Sequence, residues 1–311
     1  MDGKLVKLRF LGPVHFGQGR LTDGAYTCDA ATLFSALFIE ALHMGLQDDL
    51  FEAARVGELE LSDAFPYRAN TLYLPKPLVE VRPKPVASQK VDSREKKANK
   101  KLDYISAGSY RKYLGGSFDA LAELERLSHG GGFGSAYVQT KVNLTHADGP
   151  DAKPYQVGGF HFASDAGIYF LAKGDYDLAP ILDQLQYSGL GGKRSSGYGR
   201  FSYAVEDVSV LTQELGLSPK GNRHMLLSSA APREEELSEN LLMGSRYKLV
   251  RKGGFVQSTS HSTTPQKKKD LYLFAPGSVF PKTFDGAVFD VNGTAGAHPV
   301  YRYARAMWLE V

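Results

Sequence analysis

The first part of the chain shows two periodic patterns. Apolar Val6, Leu8 and Phe10 alternate with charged residues, which predicts a first strand with one buried face. From position 33 to position 42, apolar residues recur at helical spacing. Thr32 can cap the start of this helix, and Gly45 can end it. A strand followed by a helix is therefore expected to open the fold.

Alternation in the middle of the chain predicts a hairpin. Residues 137–144 (YVQTKVNL) form one arm, and residues 155–162 (YQVGGFHF) can return antiparallel through the turn-rich sequence between them. One side of the first arm carries Tyr137, Gln139, Lys141 and Asn143. Residues 167–173 predict a further strand.

A glycine-rich loop, residues 188–200 (SGLGGKRSSGYGR), lies between the next two predicted elements. Before it, Pro180 suits the first turn of a short helix, and Gly189 lies where a C-cap belongs. After it, alternation from Phe201 to Val205 predicts a strand. The first 210 residues thus contain, in order, a strand, a helix, a long irregular region, two strands, a helix and a strand.

This order of elements is the split βαβ pattern. We therefore predict an α+β protein with two ferredoxin-like (RRM-like) domains that carry long insertions. The first domain spans residues 1–212, and its insertions include a basic segment at 84–115 and the hairpin at 137–162. The second domain, degenerate and rich in strands, spans residues 217–311.

Composition limits the class of protein. A hydrophobic share of 42% in 311 residues supports a substantial core and excludes wholesale disorder. The single cysteine, Cys28, excludes a disulfide framework and a cysteine-rich zinc site, and it fits a reducing cytoplasm. No apolar run approaches about 18 residues, and the N-terminus lacks a signal-peptide core, so we expect a cytoplasmic protein without a membrane span.

The net charge of +3 hides two basic segments. Residues 76–112 contain eleven lysines and arginines against four acidic residues, and residues 246–270 contain seven against one. Such segments on an otherwise acidic chain indicate a localised polyanion site, although solvated loops also collect lysines. Within the segment 84–115, the polar first half is expected to be mobile and the tyrosine-rich second half to dock.

The motifs of common catalytic sites are incomplete. The loop at 188–200 lacks the hydroxyl of a Walker motif, the third glycine of a dinucleotide fingerprint and the leading glycine of a serine elbow. The eight histidines include no pair at metal-ligand spacing. His15 lies in a glycine-rich loop without an evident partner, and Asp23 and Asp29 could assist metal-dependent RNA cleavage, although lone acids are usually caps or solvated. We expect no cofactor, no metal and no enzymatic activity.

The loop at 188–200 has chemistry that suits RNA. Glycines can bring bare backbone amides close to a ligand, arginine matches phosphate oxygens, and a tyrosine ring can stack on an unpaired base. This combination favours single-stranded RNA over duplex DNA. The alternative is that the glycines only shape a tight turn. The candidate residues are Gly189, Gly191, Gly192, Lys193, Arg194, Ser195, Ser196, Gly197, Tyr198, Gly199 and Arg200.

The same loop resembles a known family. The sequence GLGGKRSSGYGRF, between a helix and a strand, is similar to the hallmark of the RAMP superfamily of CRISPR RNA-binding proteins. Further stretches resemble the fourth subunit of the type III-A (Csm) effector complex, and the matches run in collinear order from residue 5 to residue 311. They are GPVHFGQGRL, ATLFSALFIEA, FPYRANTLYLPKPL, KKLDYISAGSYRKYLGG and HPVYRYARAMWLEV.

The resemblance implies a non-catalytic subunit that holds the 5′ repeat-derived handle of the CRISPR RNA (crRNA). It implies that the subunit lies beside the large polymerase-like subunit and the first backbone RAMP subunit. The loop at 188–200 would clasp the handle, and the hairpin at 137–162, with Lys141, would be a thumb that meets the guide–target RNA duplex. The other matching residues are His15, Gly17 and Arg20 after the first strand, and Arg251, Lys252, Gly253 and Gly254 in a weaker glycine-rich loop.

Two alternatives stay open at the level of sequence. One is a RAMP endoribonuclease that processes precursor crRNA, with His15 and a nearby acid or tyrosine in catalysis. The other is a purely structural bridge whose basic tracts meet acidic surfaces on partner proteins.

Overall fold

The structure is a computed structural model that describes residues 3–17, 19–80, 93–129, 131–143, 153–217, 222–256, 258, 261, 264, 266–293 and 297–311. Eight α-helices lie in these residues: α1 (Ala30–Met44), α2 (Gln47–Val56), α3 (Ser93–Lys101), α4 (Tyr110–Leu114), α5 (Ala120–Ser128), α6 (Ala179–Ser188), α7 (Ser209–Leu215) and α8 (Glu239–Leu242). Together with the strands they give a mixed α+β fold, as predicted.

The strands of the first part are β1 (Lys4–Phe10), β2 (Glu60–Leu61), β3 (Phe65–Arg68), β4 (Thr71–Pro75), β5 (Tyr104–Ser106), β6 (Gly134–Asn143), β7 (Lys153–Phe162), β8 (Ala166–Lys173) and β9 (Phe201–Asp207). Those of the second part are β10 (His224–Leu226), β11 (Leu249–Lys252), β12 (Phe255–Val256), β13 (Gln266–Lys267), β14 (Leu271–Phe274), β15 (Val279–Phe280), β16 (Gly286–Asp290), β17 (Tyr301–Arg305) and β18 (Trp308–Glu310).

The largest sheet has the strand order β5-β4-β3-β8-β1-β9, with β2 also paired to β8, and each of its pairs is antiparallel. Four of its strands, β1, β3, β8 and β9, are neighbours in the order β9-β1-β8-β3, and with two helices they follow one another along the chain as β1, α1, β3, β8, α6 and β9. The pattern of strands and helices is the predicted one, but its second strand, β3, comes from the region that was expected to be irregular and not from the hairpin. The irregular region expected between α1 and the hairpin contains helices α2 to α5 and four of the sheet's strands, β2 to β5.

Strand β1 has one buried face, as predicted, but its opposite face, which carries half-buried Lys7 and exposed Arg9, is also buried at Leu5. Val6 and Leu8 pack in a core with α1 and α6. Leu5, which points to the other face, is fully buried in a second core. This second core includes Met225 and Leu309 from the second part of the chain, so that part covers the opposite face at Leu5.

Helix α1 begins three residues earlier than predicted. Asp29, not Thr32, is the N-cap, and its carboxylate accepts hydrogen bonds from the backbone amide and the hydroxyl of Thr32 at 2.7 and 2.6 Å. Gly45 ends the helix in the left-handed conformation, as expected. Helix α6 begins beside Pro180, and its predicted apolar side is buried.

The predicted hairpin is present. Strands β6 and β7 pair antiparallel from Gly134 opposite Phe162 to Asn143 opposite Lys153. Residues 144–152, which contain the predicted turn, lie outside the described residues.

The basic segment 84–115 is ordered where the structure describes it, from residue 93 onward. Residues 93–101 form α3, where a mobile segment was expected, and Glu95 accepts a 2.6 Å hydrogen bond from the backbone amide of Ala120 at the start of α5. The tyrosine-rich half docks as predicted, because Tyr110 is fully buried. Residues 84–92 lie outside the described residues.

The second part of the chain is rich in strands, as predicted. Strands β15, β10 and β18 form a three-stranded sheet, and β11–β14, β12–β13 and β16–β17 form two-stranded pairs. The domain boundaries at 212 and 217, and a degenerate ferredoxin-like fold for this part, stay predictions. Within the described residues, no helix is both long and apolar enough to cross a bilayer.

Candidate nucleic-acid interface

The glycine-rich loop, residues 188–200, folds back on itself and onto the loop that follows β1. The amide of Leu190 donates to the carbonyl oxygen of Gly199 at 2.9 Å, which closes the loop at its base. The amide of Gly199 donates to Pro13 at 2.8 Å, and that of Gly192 donates to His15 at 2.9 Å. These bonds hold the loop against residues 11–17.

Two of the glycines are required by this close packing. Gly199 has a φ of +80°, and a Cβ there would collide with the carbonyl oxygen of Leu190. Gly191 has a φ of +99°, and a Cβ would lie 2.8 Å from the carbonyl oxygen of His15. The turn-shaping role that the sequence left open is therefore real at these positions.

The prediction that backbone amides of the loop are free to bind a ligand is wrong for much of the loop. Backbone amides that were expected to face a ligand donate instead to carbonyl oxygens of the protein. They are the amides of Gly189, Leu190, Gly192, Ser196, Gly197 and Gly199. Binding by this loop must therefore rely mainly on its side chains.

The cations of the loop differ in their partners and in their exposure. Arg194 is tied to Glu40 of α1, with Nη1 3.4 Å from a carboxylate oxygen that also accepts a 2.7 Å hydrogen bond from the Ser188 hydroxyl. Lys193, in the left-handed region at φ +59°, lies 5.2 Å from the centre of the Tyr155 ring. Arg200 is exposed, as are Ser195 and Ser196.

Tyr198 cannot offer the stacking face that was expected, because its side chain is only 4% exposed. Its hydroxyl accepts a 2.9 Å hydrogen bond from Tyr137 and lies 3.3 Å from Gln139, and the ammonium of Lys141 lies 4.7 Å from its ring centre. The polar side of β6 therefore packs on the glycine loop. The predicted face of the hairpin is correct, but this face contacts protein here.

The loop after β1 joins the hairpin to the glycine loop. His15 is 8% exposed, and its Nδ1 donates to the carbonyl oxygen of Gly158 at 2.7 Å. Gly17 and Arg20 are exposed, and the backbone amide of Arg20 donates to the carboxylate of Asp23 at 2.8 Å. His15 thus supports the interface, and Arg20 presents its guanidinium at the surface.

The second glycine-rich turn lies beside the start of α1. Lys252 forms a 2.6 Å ion pair with Asp29, and the carbonyl oxygen of Gly253 accepts a 3.0 Å hydrogen bond from Arg302. Arg251 and Gly254 are exposed. Lys252 is therefore a structural link between the two parts of the chain, a role that the sequence did not indicate.

A cleft of about 630 Å³ joins these segments. Of the predicted residues, His15, Gly17, Gly191, Gly192, Arg194, Lys252 and Gly253 line it. The other predicted residues lie outside its lining: Gly189, Lys193, Ser195, Ser196, Gly197, Tyr198, Gly199, Arg200, Arg20, Lys141, Arg251 and Gly254. The N-terminal half of α1 forms the wall of the cleft between the loop after β1 and the second glycine-rich turn.

Three charged residues of the cleft were missed. Lys268 and Arg302 line it, and burial together with the nearby Arg302 guanidinium lowers the pKa of Lys268. Asp63 accepts hydrogen bonds from Ala30 and from both the amide and the hydroxyl of Ser229. The run of lysines at 267–269 was a usable signal for Lys268, whereas nothing local in the sequence marks Asp63.

Two carboxylates at the floor of the cleft have opposite pKa shifts. Burial and the charge of Asp29 raise the pKa of Asp63 to about 7. Burial alone would raise the pKa of Asp29 as well, but the Lys252 ammonium and the hydrogen bonds from Lys252 and Thr32 hold it below its usual value. The described ranges contain no group of three or more acidic, histidine or cysteine side chains that could hold a metal ion.

Comparison with known proteins identifies the family. A curated protein of Mycobacterium tuberculosis, named CRISPR system Cms protein Csm4, is 36% identical over 320 residues, which cover 99% of this chain and 98% of that protein. The chain belongs to the Csm4 family. A Csm4 of Streptococcus thermophilus is 34% identical over 100% of this chain and 99% of its own length. The family model of the CRISPR Csm4 C-terminal domain matches residues 219–311.

Solved structures of Csm4 proteins share the fold. One chain in a crystal structure of a Csm3–Csm4 subcomplex of the type III-A CRISPR-Cas interference complex superposes with a TM-score of 0.64 at 17% identity, covering 100% of this chain and 99% of its own. A chain in the Csm1–Csm4 cassette bound to AMPPNP gives a TM-score of 0.59 at 19% identity, covering 100% and 98%.

Proposed function

We propose that this Csm4-family protein is the RNA-binding subunit of a type III-A Csm complex that holds the 5′ handle of the crRNA. The observation that carries the proposal is the cleft, in which the glycine loop, the loop after β1 and the second glycine-rich turn meet. A strand of RNA laid along it passes Arg194, Lys268 and Arg302. These guanidinium and ammonium groups suit phosphate oxygens.

Exposed cations extend the cleft at its rim. Arg20 and Arg200 lie at the surface on the two loops that are hydrogen-bonded to each other, and half-buried Lys193 lies between Gly192 and Arg194 of the cleft lining. Because the amides of the glycine loop are largely used within the protein, these side chains supply most of the attraction to phosphate. Bases of the handle have no access to the buried ring of Tyr198.

We propose that the protein bridges the large polymerase-like subunit and the backbone RAMP subunit. This rests on the partners named for its structural relatives, Csm1 and Csm3. In the hairpin, the side opposite Tyr198 leaves Val138 56% and Val142 50% exposed. Following the resemblance to RAMP subunits, we propose that this apolar side meets the bases at the guide–target RNA duplex.

We propose a binding role without catalysis, in the cytoplasm and without a cofactor. His15, the residue on which an endoribonuclease would depend, is nearly buried and has Nδ1 occupied by the Gly158 carbonyl. The strand order β9-β1-β8-β3, with α1 and α6 on one face, supports a ferredoxin-like first part. The test is to incubate the protein alone with repeat RNA. A discrete cleavage product that disappears with His15→Ala would instead favour the endoribonuclease.

The decisive variant is the double change Lys193→Ala with Arg194→Ala. Counterion release predicts that the log–log salt dependence of handle binding becomes shallower by about 0.7 for each lost phosphate contact, and that affinity falls. Fluorescence anisotropy with a handle oligonucleotide over a range of salt concentrations measures both quantities.

The matched control is Arg55→Ala with Lys173→Ala. The side chains of Arg55 and Lys173 are exposed and ion-paired, and neither lines the cleft. The control should leave handle binding at its original strength and slope. Equal affinity and slope for the Lys193/Arg194 variant and the original protein would contradict the proposal.

A further inference from the structure

A two-stranded ribbon in the second part of the chain presents aromatic rings beside cations. It consists of residues 249–256, in β11 and β12, and residues 266–274, in β13 and β14. Tyr272 lies directly opposite Arg251 in the ladder, and Phe255 lies directly opposite Lys267. Large aromatic side chains are usually covered, so two exposed rings on one ribbon indicate a binding surface.

All four of these side chains are open to solvent. Tyr272 is 61% exposed and Phe255 is 60% exposed. The side chains of Arg251 and Lys267 are each 64% exposed. Two cross-strand pairs of an aromatic ring and a cation therefore stand unburied.

The two pairs lie on one face of the ribbon. The same carboxylate oxygen of Asp270 is 3.9 Å from Nη1 of Arg251 and 3.5 Å from Nζ of Lys267. Residues opposite each other in a ladder share a face, so Tyr272 and Phe255 lie on the face where the cations meet. The long distances to one shared carboxylate leave both cations with donors for a further ligand.

This outer face is separate from the cleft. Successive side chains of β11 alternate, and Val250 and Lys252 line the cleft, so Arg251 between them points away from it. The two arms of the ribbon carry five lysines and arginines against one acidic residue. Of these cations, Lys252 and Lys268 line the cleft, whereas Arg251 and Lys267 give the outer face two exposed cations against the one carboxylate of Asp270.

We propose that the outer face of this ribbon binds a second, unpaired segment of RNA, in addition to the handle in the cleft. Bases stack on Tyr272 and Phe255, and phosphates contact Arg251 and Lys267. Exposed rings interleaved with cations are the features of single-strand binding surfaces, because every base has a face that can stack. A protein partner is the competing occupant, because aromatic residues and arginine are also enriched in protein interfaces, but lysine is depleted there.

The test uses the full chain with Lys193→Ala, Arg194→Ala, Lys268→Ala and Arg302→Ala, which removes the cations assigned to the cleft and Lys193 beside it. The probe is an oligouridylate of about 12 nucleotides, within the site sizes of single-strand binding folds. Replacing both rings, with Tyr272→Leu and Phe255→Leu, should lower its affinity by about tenfold for each lost stacking contact. Tyr272→Trp should retain binding, because it keeps an aromatic face.

Photocrosslinking with 5-iodouridine locates the contact. The expected crosslinks fall in residues 249–256 and 266–274, and they persist when the cleft is disabled, which separates this proposal from the handle-binding one. The matched control is Tyr187→Leu, which removes a ring that is 71% exposed elsewhere. It should leave the affinity unchanged.

Two results would overturn the proposal. One is unchanged oligouridylate binding by the leucine double variant. The other is unchanged RNA binding accompanied by loss of a protein subunit from the purified complex, which would assign this face to a protein partner.

Discussion

Glu40 shows how one buried carboxylate organises the glycine loop. It is 6% exposed, and it holds the Ser188 hydroxyl at the end of α6 and the guanidinium of Arg194 within the loop. Buried acids are stable when hydrogen bonds satisfy their oxygens. Glu40 lies in a helix whose spacing predicted only core packing, so its partners follow from where α6 crosses α1.

The raised pKa of Asp63 predicts how the free energy of unfolding depends on pH. Its pKa is about 7 in the folded protein and near 3.9 in an unfolded chain, so the folded state binds the proton more tightly. The contribution of Asp63 to the free energy of unfolding should therefore fall as pH rises from about 4 to about 7 and stay level above that. Asp63→Asn should remove this fall and be most favourable, relative to the original protein, near pH 8.

Urea unfolding at a series of pH values measures this effect. Asp29→Asn, at the neighbouring acid with a lowered pKa, is the comparison, because its ionised form is the favoured one in the folded protein and its change should destabilise near pH 8. A parallel pH profile for Asp63→Asn and the original protein would contradict the role assigned to Asp63.

The glycine loop and the hairpin form one unit at the scale of elements. The loop after β1 lies between them, hydrogen-bonded to Gly192 on one side and, through Val14, to Phe160 of β7 on the other. The ring of Tyr198 completes the contact with β6. A loop held on two sides presents Arg200 and Lys193 from a fixed backbone, which lowers the entropy lost on binding RNA.

Two glycines of this loop allow a matched comparison. Gly199 and Gly197 have φ values of +80° and +83°, but a Cβ meets the Leu190 carbonyl oxygen only at Gly199, with no atom within 4 Å at Gly197. Gly197→Ala should lower the free energy of unfolding by about 1–2 kcal/mol through backbone strain. Gly199→Ala should cost about 1–3 kcal/mol more, because the clash adds to the strain.

Urea unfolding of the two variants checks this prediction, and handle binding provides a second readout. Gly199→Ala should also weaken binding, because the loop must shift. Equal losses of stability in the two variants would mean that the loop tolerates the added methyl group.

The two parts of the chain share a core at the scale of the whole molecule. Leu5 and Tyr169 of the large sheet pack with Met225 and Leu309 of the second part. The ion pair of Lys252 with Asp29 and the hydrogen bonds of Ser229 to Asp63 cross the same boundary. Two segments joined in this way are expected to unfold together.

The only tryptophan, Trp308, makes this prediction measurable. Its fluorescence reports on β18 in the second part, while amide exchange in β1 reports on the first. Both signals should be lost at the same urea concentration, and Met225→Ala should shift them together, by about 2–5 kcal/mol in free energy of unfolding. Loss of the Trp308 signal before β1 opens would mean that the parts are independent.

Local sequence pattern was sufficient to predict many of the strands and helices of this protein. Alternation located β1 and both arms of the hairpin, and Pro180 and Gly45 marked the ends of helices, because these features depend on residues close together in sequence. The glycine-rich loop and its cations were visible for the same reason. The matches in the sequence were also specific enough to indicate the family, which the full-length relatives confirm.

Tertiary structure decided which of these groups remain free. The burial of Leu5 depends on the second part covering the sheet, and the burial of Tyr198 depends on the register of the hairpin against the glycine loop. The pairing of Lys252 with Asp29 joins residues more than two hundred positions apart. Because such contacts arise from the crossing of distant elements, no local periodicity encodes them, and only the fold shows that most amides of the glycine loop are used within the protein, which leaves its side chains to meet a ligand.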